Sequence, residues 1–243
     1  MGQTARGFTL VELLVVVSII ALMTSILLPG LTRAQEQAQR THCLANQHQL
    51  MLAWSLYNVD YEGRLCRPKS VTSDLQRYTK IEDIVTECKS IDMARGVRRS
   101  YGVSNTMGGE PRDGVRPYAK FPNIARPSSS LVFIDIQANA NTCFWPLLRG
   151  DDDSEDSKDP VEAEEQDLWM WRPFSWPASN SIQGMTARHS NGCNISFADG
   201  NGQYRRWEDP RTLKLIKGKI ADPELASIGN TDLDYMLRAL TRD

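Results

Sequence analysis

Histidine is scarce in this chain, with 3 in 243 residues, and cysteine is nearly as rare, with 5. No two cysteines stand in a Cys-x-x-Cys pair, so a zinc ribbon or a thioredoxin-like centre has no ligand pattern to build on. Gly-x-Ser-x-Gly and an acid-paired Cys–His motif are both missing, which leaves hydrolase chemistry without a nucleophile. Formal net charge is only -2. Arg95, Arg98 and Arg99, and later Arg205 and Arg206, form short groups rather than a block that could neutralise a run of phosphates. A nucleic-acid partner is therefore not expected. The cysteines are Cys43, Cys66, Cys88, Cys143 and Cys193. If the chain is exported, an oxidising compartment permits disulfides. An odd number leaves at least one thiol free or pairing between chains, and the connectivity stays open.

What is abundant is concentrated. Apolar residues are 41% of the chain, yet residues 10–28 are almost entirely apolar and no later stretch approaches that. Residues 8–28 number 21, and a helix needs about 20 to cross a hydrocarbon core ~30 Å thick. A secretory signal peptide would carry a shorter run ending in a small-x-small site. Here the run continues into Pro29, Gly30 and a polar helical pattern. Myristoylation would need Ser or Thr where Arg6 stands. A plain anchor remains, and Glu12 argues against it. A carboxylate within the bilayer costs at least ~2.5 kcal/mol and is by default functional. A cut between Gly7 and Phe8 would create an α-amine four residues before Glu12. In a bundle of staggered helices, the Glu12 of one subunit could pair with the amine of its neighbour. That pairing would offset both desolvation costs and set the register between subunits.

The sequence GFTLVELLVV at residues 7–16 resembles the prepilin cleavage and methylation motif of type IV pilins and type II secretion pseudopilins. The resemblance implies cleavage after Gly7 by a prepilin peptidase, N-methylation of Phe8 and an assembly role for Glu12. Pro29 also falls where pilin helices commonly carry a proline. A second resemblance, to a pilin-like subfamily with an H-x9-DG signature, is scattered along the chain. Residues 43–60 look like its CxxNxxQL-x-A-x-x-x-Y-x-x-D segment, residues 100–105 like its S-Y-G-x-N strand, and residues 127–135 (PSSSLVFID) like its P-S-x-x-x-x-F-x-D strand. His189 with Asp199 and Gly200 fits H-x9-DG. Cys88-Lys89-Ser90 departs from the Cys-Pro-Ser of that group. A leader facing the cytoplasm rests on the resemblance, because Arg6, Arg33 and Arg40 do not settle topology alone.

Beyond Pro29 the pattern stays helical. Leu31, Ala34, Ala38, Ala45, Leu52 and Leu56 recur at helical steps, which predicts one helix from Phe8 to about Tyr57, bent at Pro29 and laid by this stripe against a sheet. It breaks at Tyr61-Glu62-Gly63. Strands are predicted at 99–104, 130–136, 194–198 and 203–207, the last two joined by the hairpin signal Asp199-Gly200-Asn201-Gly202. Thr231–Leu240 reads as a terminal helix with Thr231 as N-cap and Leu233, Met236, Leu237 and Leu240 apolar.

Several features admit a sharper and a plainer reading. His189 and Asp199 could be metal ligands or an acid–base pair, but a closed zinc centre wants about four ligands, so a loop-orienting His189 and a turn-forming Asp199 are favoured. The run at 151–167 (DDDSEDSKDPVEAEEQD) is a solvated loop. Calcium is the one cofactor it could take, although it lacks EF-hand spacing. Trp169, Trp171, Phe174 and Trp176 are core, an interface or a sugar platform, with core packing favoured. Asn194-Ile195-Ser196 is a glycosylation sequon of little weight here.

Together these predict an α+β protein: a long N-terminal transmembrane-to-periplasmic helix packed on a small antiparallel-sheet head. Its segments are a leader at 1–7, an assembly helix at 8–29, an amphipathic continuation at 30–58 and a head at 59–243. The resemblance implies a non-enzymatic subunit at the inner membrane. Its head would lie in the periplasm or an extracellular filament, without a metal. Its partners would be other pilin or pseudopilin subunits, the prepilin peptidase, the assembly platform and membrane lipid. The alternatives are a membrane-tethered binding module, perhaps for glycans through the tryptophans, and an enzyme using His189 and Asp199.

Overall fold

A computed structural model of the chain describes residues 9–80, 100–109, 116–136, 143–144, 186–216 and 229–240. The chain divides into two compact units, Met1–Ala38 and Gln39–Asp243. Helix α1, Leu10–Asp60, contributes to both and continues through Pro29. Its end has a local cause. Glu62 and Gly63 adopt positive φ of 54° and 79°. The Gly63 N–H then reaches the Asn58 carbonyl at 2.6 Å and the Glu62 N–H reaches that of Val59 at 3.4 Å, the paired bonds of a Schellman terminus.

The second unit is built on a sheet. The strands are β1 (Tyr101–Ser104), β2 (Leu131–Asp135), β3 (Cys143–Phe144), β4 (Gly192–Phe197) and β5 (Gly202–Arg206), in the order β3-β1-β2-β4-β5. Four strands pair antiparallel, as the α+β expectation required, and the short β3 adds parallel to β1. A two-residue strand carries no periodicity, so sequence reading missed it. The remaining helices are α2 (Val71–Leu75), α3 (Pro210–Ile216) and α4 (Thr231–Leu240).

Alternation along the strands sends side chains to both faces. On β4, Cys193, Ile195 and Phe197 join a core with Trp207, Ile216 of α3, and Leu233, Met236 and Leu240 of α4. Asn194 and Ser196 turn to the other face, where Gln47 and Arg40 of α1 meet them. Leu50, Met51 and Trp54 of α1 share a core on that side with α2 and with Tyr101 and Val103 of β1. A register shift between Leu131 and Phe133 of β2 accounts for adjacent Leu131 and Val132 joining opposite cores.

Two sequence expectations are corrected. The buried face of α1 is Cys43, Asn46, Gln47, Leu50, Met51, Ala53, Trp54 and Asn58. The predicted stripe is not it: Leu52 and Leu56 are 53% and 52% exposed, and Ala45 is exposed too. The apolar stripe misled because the sheet offers polar partners that draw Asn46 and Gln47 inward. The N-cap of α4 is Asn230, not Thr231. Its Oδ1 accepts from the Asp232 and Leu233 amides at 3.1 and 3.2 Å, and Thr231 is already helical.

Candidate functional site

Two places carry chemistry, and each is described within its own unit. In the first, α1 is the helix among the described residues long and apolar enough to cross a membrane, and its apolar stretch buries nothing inside the protein. Leu10, Leu14, Ile20 and Leu27 are 48–80% exposed together with their neighbours. Such a patch on a soluble chain would aggregate, whereas a bilayer or a bundle of like helices covers it. The hydroxyls in this stretch are already satisfied by the helix itself. Ser18 donates to the Leu14 carbonyl at 2.7 Å, Thr24 to Ile20 at 3.0 Å and Ser25 to Leu22 at 2.7 Å. No water is then needed to satisfy them, as hydrocarbon demands.

Glu12 lies in the first turn of α1. Its Oε2 accepts from the Thr9 amide at 2.9 Å and from the Thr9 hydroxyl at 2.7 Å, and the Glu12 amide donates back to Thr9 Oγ1 at 3.3 Å. This is a capping box, with Thr9 as N-cap and Glu12 three residues on. It satisfies helix-end donors and holds the carboxylate near the N-terminus, where the helix dipole favours negative charge. Both side-chain contacts fall on Oε2, so Oε1 stays available to a donor from another molecule. The Thr-x-x-Glu spacing was legible in the sequence and Thr9 was overlooked. Gly7 and Phe8 lie outside the described residues.

The second place is a buried polar joint between α1 and the sheet. Gln47 Nε2 donates to Asp135 Oδ1 at 2.8 Å and to the Asn194 carbonyl at 3.0 Å, while its Oε1 accepts from Ser196 Oγ at 2.7 Å. Asp135 Oδ2 accepts the Asn194 amide at 2.8 Å and lies 3.5 Å from His189 Nε2. One turn back, Asn46 Nδ2 donates to the Tyr101 hydroxyl at 3.2 Å. Gln47, Asp135 and Asn194 are fully buried, and His189 is 3% exposed. A polar group at such a place costs stability unless it is bonded, and the network provides those bonds. It can fix how α1 lies on the sheet, because sliding the helix by one turn would orphan every member. Burial raises the Tyr101 phenol above its ordinary range, with smaller contributions from Cys43 and Asp135. A proton at this joint is thus held rather than exchanged.

His189 and Asp199 are engaged separately. His189 turns to Asp135, and a tight turn through Ser190 and Asn191 (φ 48° and 64°) bridges His189 to Gly192. A Cβ on Gly192 would meet the Arg205 carbonyl at 2.1 Å, so only glycine fits. Asp199 Oδ1 accepts the Asn201 amide at 2.9 Å, and Gly200 has φ 89°, closing the β4–β5 hairpin. Among the described residues no group of three or more His, Cys, Asp or Glu side chains could hold a metal ion. The acidic run at 151–167 and Trp169, Trp171 and Trp176 lie outside the described residues. Cys43, Cys66 and Cys193 are buried thiols. Burial pushes Cys66 up to about 12, with Asp74 adding to it. Asn194 of the sequon is fully buried and donates to the Arg40 carbonyl, so no glycan can be attached there in the folded head.

A family model described as the prokaryotic N-terminal methylation motif matches residues 3–28. The chain is similar to the type IV wide pilus major component PilA4 of Thermus thermophilus, 36% identical over 58 residues, which is 24% of this chain and 44% of that protein. It therefore spans less than half the length of that relative. It is also similar to the competence protein ComGC of Bacillus subtilis, 28% identical over 91 residues, covering 37% of this chain and 91% of the relative. No solved structure matches.

Proposed function

We propose that this chain, which carries a prepilin N-terminal methylation motif and is pilin-like, is a subunit assembled through α1 into a type IV pilus or a type II secretion pseudopilus. A prepilin peptidase would remove residues 1–7 and methylate Phe8. Residues 8–29 would hold the subunit in the inner membrane, with the continuation to residue 58 leading to a head in the periplasm or the finished filament. The platform that extracts it, and lipid before extraction, complete its partners. The role is non-enzymatic.

The observation that carries this reading is Glu12 capped by Thr9 at the start of a wholly exposed apolar helix. The capping box lowers the cost of holding a carboxylate in hydrocarbon, while Oε1 remains for the Phe8 amine of a neighbour. Contact between identical helices in a non-closing arrangement is what a filament requires. His189, Asp199 and Gly200 serve as a structural signature within the head.

A photo-cross-linking residue in place of Val16, introduced into cells with an active prepilin peptidase, tests the assembly. The proposal expects a ladder of cross-linked copies that Glu12→Ala abolishes. Monomers alone, with Glu12→Ala indistinguishable from the parent, would instead indicate a tethered binding module.

A further inference from the structure

Arg188 is the one charge in the head core left without a counter-ion among the described residues. Its Nη2 donates to the Ser100 carbonyl at 2.8 Å. Its Nε and Nη1 are withdrawn from solvent and have no hydrogen-bond partner, and the same holds for the Ser100 hydroxyl beside it. Ser100 is fully buried. Arginine stays protonated at any ordinary pH, so this group cannot escape the cost of burial by losing its proton, as a lysine would. A desolvated guanidinium is stable when an anion faces it. Asp135 does not fill that place, because it binds Gln47 and Asn194 and faces His189. Arg205, the other guanidinium close to Cys193, lies 3.6 Å from Asp232.

The place in the chain says what the anion is. The Ser100 carbonyl accepts from Arg188 and also from the Ile136 amide at 2.9 Å. Residues 137–187 therefore leave the sheet and return to it at this one carbonyl. That segment carries the 151–167 run, with ten acidic residues against one lysine. We propose that Arg188 and Ser100 form a carboxylate-binding site at the neck of residues 137–187. The site takes an Asp or Glu side chain, from the run of its own chain or of a neighbouring copy, or a free carboxylate.

The test is the rate at which phenylglyoxal modifies Arg188 in the full chain in detergent micelles, read by peptide mass spectrometry against exposed Arg206. The proposal expects Arg188 to be protected. With Asp151, Asp152, Asp153, Glu155 and Asp156 changed to their amides, it expects reaction about tenfold faster, the ratio given by losing one charge-assisted bond. Ser100→Ala, which removes a hydroxyl bonded to nothing else, should fall between the two. Protection that survives hundredfold dilution of the parent chain assigns the carboxylate to the same chain. Protection lost on dilution assigns it to a neighbour, and protection restored to the amide variant only by added acetate assigns it to a free carboxylate. Arg188 reacting as fast as Arg206 in the parent chain would overturn the proposal. So would protection indifferent to the amide changes, Ser100→Ala and acetate alike.

Discussion

Asp135→Asn is the sharpest perturbation of the joint between α1 and the sheet, because it preserves shape and reverses the polarity of one atom. Asp135 accepts at both oxygens: from Gln47 Nε2 at 2.8 Å and from the Asn194 amide at 2.8 Å. An asparagine there sets its NH2 against one of those donors whichever way it turns. It also removes the negative charge facing His189 at 3.5 Å. Leaving a buried donor unsatisfied costs about 1–3 kcal/mol, toward the upper end where the lost acceptor was charged. About 2–3 kcal/mol corresponds to a fall in Tm of roughly 4–12 °C for a domain of this size. Near-UV circular dichroism of the full chain in micelles reads the transition through Trp54 and Trp207, which are 0% and 4% exposed. Adding Gln47→Leu should then cost less than it does in the parent chain, since the two changes break one shared bond. A Tm shift below about 2 °C, or full additivity with Gln47→Leu, would show that the carboxylate is not organising this joint.

Other consequences follow from the same geometry. Cys66, pushed up to about 12 by burial, and Cys193, raised by burial and by Asp135, should resist alkylation at pH 8 in the folded chain and react once it is denatured. Asn230→Ala should cost about 1 kcal/mol in thermal melts, as loss of an N-cap does, while Thr231→Ala should stay within ~0.5 kcal/mol. The Arg211 guanidinium holds the Asp209 carboxyl below its usual range. The pair's contribution is therefore present above the ordinary aspartate value of about 3.9, and it is lost as pH falls through the lower folded value. Arg211→Gln should lower Tm slightly at pH 7 and leave it unchanged in strong acid.

What was legible in the sequence was local. The apolar run, the break at Glu62-Gly63, the Asp-Gly turn and α4 depend on neighbours in the chain, and each is found where the pattern put it. The strands at 130–136 and 194–198 were placed within two residues for the same reason. The face of α1 was misjudged because amphipathicity assumes apolar residues inside. Here Asn46 and Gln47 are buried by partners 55 and 147 positions away, while Leu52 and Leu56 stay outside. No periodicity within a helix reports such distant acceptors. The motif residues quoted for their resemblance nevertheless converge: Gln47, Asp135 and His189 meet in the joint, and Asn46 bonds Tyr101 beside it. Arg188 gave no sequence signal, since a single arginine before a histidine reads as surface.

The central claim concerns the first residues of the mature chain, and the most direct test is the mass of its N-terminal peptide, taken from membranes containing an active prepilin peptidase. The account predicts a chain that begins at Phe8 and carries one added methyl group. A chain that retains Met1–Gly7, or one cut beyond Leu28, would contradict it.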